Sequence, residues 1–160
     1  MIVRKDDLRS EGLQLDVHPR LGPLESEGGL EITVSGAALS AEIVPTEQGM
    51  HCRGRLVAET SIVCSRCLET YVLSVDRTFD VRYVRPPRAA GGEPEHQIAR
   101  DEFDVSYLGA GEILETDEMA AEQIYLSLPM KPLCREDCKG LCPGCGVNLN
   151  NEACRCGMSR

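Results

Sequence analysis

The sequence predicts an α+β fold: an antiparallel β-sheet or partial barrel, one packing helix, and a short cysteine-rich tail. Three observations carry that expectation. Between residues 30 and 84, apolar and polar residues alternate with the period of two that marks half-buried strands. No helix-length crossover separates these runs, so the pairing is expected to be antiparallel. Residues 115–128 form the one stretch with helical spacing, and six of the nine cysteines crowd into residues 134–156. The chain therefore divides into a β-rich region with one helix, residues 1–133, and a cysteine-rich tail, residues 134–160.

The elements follow in order. Leu13, Leu15 and Val17 alternate, which predicts a short strand. His18-Pro19 through Gly28-Gly29 is a polar, turn-rich connection, with His18 a surface residue. Leu30, Ile32 and Val34 open the sheet, Gly36 breaks their run, and a separate strand is expected over Ala38–Val44. After a turn at Pro45–Gly49, a strand over His51–Val63 places Leu56, Ala58, Thr60 and Ile62 on one face. The next strand places Tyr71, Leu73, Val75, Phe79, Val81 and Tyr83 on one face, with Arg77 as the single interruption. These two strands make a hairpin whose tip is Cys64-Ser65-Arg66-Cys67.

Residues 85–101 are rich in Pro, Gly and polar residues and predict a loop, with His96 exposed in it. Phe103, Val105 and Tyr107 add a fifth strand. In the helix, Thr116 is expected to be the cap, with Asp117 and Glu118 complementing the positive end of the dipole. Ala121, Ile124, Tyr125 and Leu128 form its predicted apolar stripe, and Pro129 ends it. Met130-Lys131-Pro132-Leu133 then runs extended into Cys134.

Nine cysteines in 160 residues, in a chain whose N-terminus MIVRKDDLRSEG has no apolar run after its charges, point to metal ligation in a reducing cytoplasm rather than to disulfides. No stretch approaches the roughly 18 apolar residues that would cross a membrane. Cys142-Pro143-Gly144-Cys145-Gly146 is the sharpest motif, since a Cys-x-x-Cys turn lets two thiolates reach one ion. Gly146 is expected to take a positive φ and turn backbone N–H groups toward the sulfurs. Counting supplies the grouping. Cys64, Cys67, Cys134, Cys138, Cys142, Cys145, Cys154 and Cys156 make eight ligands, enough for two closed four-cysteine zinc sites, while one shared ion with spare cysteines is the alternative. Cys142/Cys145 with Cys154/Cys156 closes a local loop, giving a zinc-ribbon-like tail. Cys64/Cys67 with Cys134/Cys138 then staples the hairpin tip to the start of the tail. Cys52, beside His51, is left over as a buried apolar thiol.

The net charge is −9, and eight thiolates with two divalent ions would take it four units lower, to −13. That argues against a nonspecific nucleic-acid coat, which should be basic. The charge is nevertheless uneven. Seven arginines against four acids lie between Met50 and Arg88, while nine acids and only Arg100 lie between Glu93 and Glu118. Arg53, Arg55, Arg66, Arg77 and Arg82 are the candidate residues for contacting RNA phosphates or an acidic partner surface, and a solvated polar sheet face is the competing explanation. With two Phe, four Tyr and no Trp, base stacking is not expected to carry recognition.

The order Cys64-x-Arg66-Cys67-Leu68, an acidic loop, a helix, then Leu128-Pro129-Met130-Lys131-Pro132-Leu133-Cys134 and the run CREDCKGLCPGCGVNLNNEACRC resembles the bacterial YceD family. The resemblance covers most of the chain, and the tail is its most specific part. It implies a role in accumulation of large-subunit ribosomal RNA and assembly of the large ribosomal subunit. It also implies partnership with a large-subunit rRNA precursor or a large-subunit ribosomal protein, since genes of the family often neighbour a gene for one. The resemblance also implies that some family members lack the final Cys142–Cys156 module and keep the upstream pair, which agrees with the two-site grouping.

An enzyme is not expected. A catalytic zinc keeps an open position and usually has His or carboxylate ligands, whereas thiols here suffice to close both sites. No nucleophile–base constellation, phosphate loop or H-E-x-x-H motif occurs, so no small-molecule substrate is expected. The alternative from a different class is a redox- or metal-sensing zinc protein that regulates a protein partner.

Overall fold

A computed structural model of the chain describes residues 1–25, 29, 31–86, 105–108, 111–154 and 156. Its centre is three long antiparallel strands, β4 (Glu31–Pro45), β5 (Gly49–Val63) and β6 (Thr70–Val84). A short β2 (Leu13–Val17) extends the sheet beside β4, and β3 (Leu24–Glu25) pairs with the beginning of β4. At the far edge β7 (Val105–Tyr107) pairs with the end of β6. A separate two-stranded sheet joins β1 (Ile2–Arg4) to β8 (Ile113–Glu115), which runs directly into helix α1 (Thr116–Tyr125). The described sheets are open, not closed into a barrel.

Two features of the sheet differ from the expectation. The break at Gly36 does not separate two strands. β4 is continuous, and a register shift between Val34 and Gly36 inserts one extra residue against β5. That bulge changes the parity of the pleat: Ile32 and Val34 face inward before it, and Ala37, Leu39, Ala41 and Ile43 face inward after it. A single strand therefore reads as two out-of-phase runs. The second difference is β7, which is parallel to β6, with Arg82 opposite Val105. The connection from Arg85 to β7 is long enough to return the chain to the same end of the sheet, so the sheet is mixed at this edge, while the pairing expected within residues 30–84 is antiparallel throughout. Phe103, His96 and most of the predicted 85–101 loop lie outside the described residues.

The inner face of the sheet carries the core. Leu39, Ile43, Met50, Cys52 and Leu56 are fully or almost fully buried and pack with Phe79, Tyr83 and the helix residues Met119, Ala120 and Ile124. Gly54 is required where the strands come closest to a ring. A Cβ there would stand 2.4 Å from the Ser40 carbonyl oxygen and 2.7 Å from Phe79 Cζ.

The helix is shorter than expected and turned about its axis. It ends as an α-helix at Tyr125, followed by a turn before Pro129. Its buried face is Thr116, Met119, Ala120, Gln123 and Ile124, so of the predicted stripe only Ile124 is buried. The phase moves because a polar residue belongs to the buried side. Gln123 Oε1 accepts a hydrogen bond from Arg77 Nε at 3.1 Å, and Arg77 Nη1 donates to the Leu126 carbonyl at 3.4 Å. The two residues that break their elements' apolar patterns thus meet at the sheet–helix seam, where the Gln123 oxygen is satisfied and its buried Nε2 has no partner. Thr116 is not the cap: Glu115 occupies that position without a side-chain bond. Thr116 Oγ1 instead accepts from the Met1 ammonium at 2.8 Å and donates to the Met1 carbonyl at 3.1 Å, tying β1 to the helix start.

The packing at Gly54 makes a comparison with Gly36, where a Cβ meets nothing within 4 Å. Gly54→Ala should lower unfolding free energy by about 1–3 kcal/mol through overpacking. Gly36→Ala should change it by less than about 0.5 kcal/mol. Denaturant midpoints of the two variants would check this.

Candidate metal centres

The β5–β6 hairpin and the tail meet at a pair of sulfur clusters. β5 ends at Val63, and the next six residues form the tip: Cys64 N–H donates to the Glu69 carbonyl at 2.9 Å, and Leu68 N–H donates back to the Cys64 carbonyl at 3.0 Å. The tip is then gripped from both sides of the tail. Ser65 N–H donates to the Pro132 carbonyl at 2.8 Å, and Leu141 N–H to the Arg66 carbonyl at 3.1 Å. Gly140 makes the second grip possible. Its φ is +74°, and a Cβ would lie 3.0 Å from the Arg66 oxygen.

This docking assembles an inner cluster of Cys64, Cys67, Cys134 and Cys138, drawn from two distant segments. Cys64, Cys67 and Cys138 are buried, Cys134 is half-buried, and Tyr71 and Leu133 pack against them. The Cys64–Cys138 sulfurs are 3.8 Å apart and the Cys67–Cys134 sulfurs 3.6 Å apart. The outer cluster is Cys142, Cys145, Cys154 and Cys156, with sulfur separations of 3.2 Å for Cys142–Cys154, 3.6 Å for Cys142–Cys156, 3.9 Å for Cys145–Cys154 and 2.9 Å for Cys154–Cys156. A tetrahedral ion with metal–sulfur bonds of about 2.3 Å sets its ligand atoms about 3.8 Å apart. The inner cluster has that size, the outer one is slightly contracted, and in each all four sulfurs lie within 4.8 Å of one another. All nine cysteines are free of disulfides. The grouping is the one that spacing and loop closure predict.

The surroundings prepare the sulfurs for a cation. Burial pushes the Cys64 thiol up, but N–H groups of Cys67, Cys134 and Arg66 outweigh it and bring it down to about 6. Asn150 Nδ2 donates to Cys138 Sγ at 3.3 Å and lowers that thiol. Cys142 falls to about 6 through the N–H of Cys145, the Cys154 thiol and the N–H of Gly144. Burial and the neighbouring thiols push Cys134 up to about 12, and the Cys154 and Cys142 thiols do the same to Cys156. Some sulfurs in each cluster are thus set to be anions while others keep their protons, and a cation would convert the remainder. Gly146 does adopt a positive φ, +72°, and the N–H groups of Gly144 and Cys145 are turned to the Cys142 sulfur, while Gly146's own N–H donates to the Cys142 carbonyl at 2.8 Å.

The tail itself is built of turns. Among its described residues the only β pairing is an isolated bridge between Leu141 and Asn148, so no ribbon of paired strands frames the outer cluster. Cys52 lies in the sheet core, fully buried, with burial raising its thiol to about 12. It belongs to neither cluster and is screened from reagents, so it is no exposed reactive thiol.

The five arginines are not brought together. Arg53, Arg55 and Arg82 lie on the outer face of β5 and β6. Arg55 forms a two-pronged contact with Asp76, at 2.7 Å through Nε and 2.5 Å through Nη2, and Arg53 Nε lies 3.5 Å from Asp80. Asp80 is also bonded to His51 Nε2 at 2.5 Å. Arg77 is on the opposite, inner face against the helix. Arg66 is exposed at the hairpin tip, where its Nη1 donates to the Cys138 carbonyl at 2.9 Å and buttresses the inner cluster.

The family model described as Large ribosomal RNA subunit accumulation protein YceD matches residues 52–160, and the chain belongs to that family. Uncharacterized proteins of Mycobacterium bovis and Mycobacterium tuberculosis are each 29% identical over 128 residues, covering 78% of this chain and 58% of theirs. An uncharacterized protein of Mycobacterium leprae is 27% identical over 125 residues, covering 76% of this chain and 54% of its own. The chain thus spans little more than half the length of these relatives. No solved structure matches it significantly. Among the described residues no helix is long and apolar enough to cross a membrane.

The two clusters should each hold one ion, which elemental analysis of purified protein can count. Cys154→Ser should reduce two ions per chain to one and leave the sheet intact by circular dichroism. Cys52→Ala should keep both.

Proposed function

We propose that the chain is a noncatalytic factor in large ribosomal subunit biogenesis, working in the cytoplasm to support accumulation of large-subunit rRNA and held together by two structural zinc sites. One observation carries this reading. The segment matched by the family, 52–160, contains all eight clustered thiols, the hairpin that carries two of them and the arginines beside it. An all-sulfur tetrahedral donor set suits zinc, which would supply cross-linking without redox change. Four thiolates close such an ion's coordination, leaving no position for a substrate, so the sites support structure and not hydrolysis.

The partner on this reading is a large-subunit rRNA precursor or a large-subunit ribosomal protein. The outer face of β5 and β6 carries Arg53, Arg55 and Arg82, guanidinium groups of the kind that pair with phosphates or with acidic side chains. Recruitment there requires exchange of the Arg53–Asp80 and Arg55–Asp76 pairs for the partner's anions, which keeps the contact weak and salt-sensitive. The exposed sulfurs of the outer cluster favour a second reading, in which metal occupancy regulates binding to a protein partner.

A double variant, Arg53→Glu with Arg55→Glu, tests the face without touching Arg66 or Arg77, which have structural bonds. Pull-down of tagged protein at low salt should recover large-subunit precursors or one ribosomal protein. The double variant should lose at least about tenfold of that recovery while keeping its β-sheet circular dichroism, with a slightly lowered melting temperature from the new like charges beside Asp76 and Asp80. Equal recovery would remove this face from the interaction.

A further inference from the structure

The two clusters differ in access and are physically linked. Three of the four inner cysteines are buried and the fourth is half-buried, whereas in the outer cluster only Cys142 is buried and Cys145, Cys154 and Cys156 are exposed. The loop between Cys145 and Cys154 does not project into solvent alone. It folds back on the inner cluster: Asn150 Nδ2 donates to Cys138 Sγ at 3.3 Å, and Asn150 Oδ1 accepts from Lys139 N–H at 2.8 Å. Leu149 N–H donates to the Gly140 carbonyl at 2.9 Å, and Asn151 Nδ2 to Glu69 Oε1 at 2.9 Å. The loop that supports an inner sulfur is therefore pinned at both ends by outer sulfurs.

We propose that the outer cluster is an exchangeable metal site whose occupancy sets, through Asn150, how tightly the inner cluster holds its own ion. The inference rests on the metal reading given above and goes beyond it by assigning the two sites different jobs. Ligand exchange at a metal–thiolate centre requires a competing ligand to reach the ion or a sulfur, and reactivity of thiolates follows their exposure. The outer site is open to such attack on three of its four ligands, while the inner one lies beneath Tyr71 and Leu133. When the outer ion leaves, the loop loses its anchor at Cys154 and Asn150 is free to swing away from Cys138. A thiolate ligand that loses its hydrogen-bond donor holds metal about 10–100-fold less tightly. The coupling is reciprocal, so an occupied inner site also strengthens the outer one. Asn150 is thus a positioning residue for the inner site, and departure of one ion loosens the clamp on the hairpin tip.

The experiment uses the full chain loaded with zinc and challenged with excess EDTA. Metal release is followed over time, and cysteines freed at each stage are alkylated and mapped by mass spectrometry. Two phases of one ion each are expected, with Cys145, Cys154 and Cys156 labelled in the first and Cys64, Cys67, Cys134 and Cys138 only in the second. Asn150→Ala, and Asn150→Asp, which keeps the oxygen that accepts from Lys139 and removes the donor to Cys138, should abolish the coupling. The first phase, in which the outer ion leaves beside an occupied inner site, should quicken about tenfold or more, while the second phase, which already runs with Asn150 released, should stay as it was. Asn151→Ala, whose bond goes to Glu69, should leave both phases as they were. A single release phase, inner cysteines labelled first, or a first phase indifferent to both Asn150 substitutions would overturn the proposal. A chain that takes up no zinc would instead refute the metal reading beneath it.

Discussion

The meeting of four sulfurs from two distant places is the constraint on which the rest depends. Cys64 and Cys138 are 74 residues apart, and their side chains converge only because a long hairpin reaches out to the tail. Four thiols packed at this distance gain little by themselves. Their anions repel one another and their buried, protonated forms make weak hydrogen bonds. A divalent cation would reverse the balance, since it would take all four as thiolates and its binding energy would become folding energy. The backbone of the tip holds the sulfurs in place. The Cys64 carbonyl and N–H are used within the turn, and Ser65 and Arg66 are bonded to the tail on either side. The inner cluster thus decides where the tail sits, and the outer cluster is built on the tail once it has been placed.

The sheet solves a different problem, that of holding the hairpin straight enough to reach. β5 and β6 pair without interruption over fifteen residues each, from Gly49↔Val84 to Val63↔Thr70. Inward residues on both strands bury against β4 and the helix, and a buried threonine, Thr60, satisfies its hydroxyl on the Leu73 carbonyl at 2.9 Å. The helix docks near the other end. Tyr83 donates to Glu122 at 3.1 Å, and the Arg77–Gln123 pair fixes the helix's rotation. Stability of the sheet and occupancy of the clusters therefore work at opposite ends of the hairpin.

Much of this was legible in the residues, and the failures have identifiable physics. The alternation in β5 and β6 gave their inward faces because neither strand contains a bulge against the other. In β4 the bulge at Val34/Gly36 reset the parity, which local periodicity reads as two strands. The helix phase failed because Gln123 is polar yet buried, and its partner Arg77 lies 46 residues away, beyond the reach of a window-based pattern. The two cysteine groups were recoverable from spacing and counting, since paired thiols announce short-range geometry. Asn150 was missed as a sulfur donor because its role depends on the fold-back of the tail, although an Asn-rich stretch between two ligand pairs is a signal that such a donor is at hand. Arg77 was grouped with the exposed arginines although its place among inward residues of β6 already set it apart.

The central claim is that a metal ion joins the hairpin tip to the tail through four sulfurs. Zinc-edge X-ray absorption on the Cys154→Ser variant, in which the inner site is the one left whole, addresses it most directly. The account predicts a shell of four sulfurs at about 2.3 Å with no lighter ligand. A mixed shell of sulfur with nitrogen or oxygen, or an absence of bound metal, would contradict it.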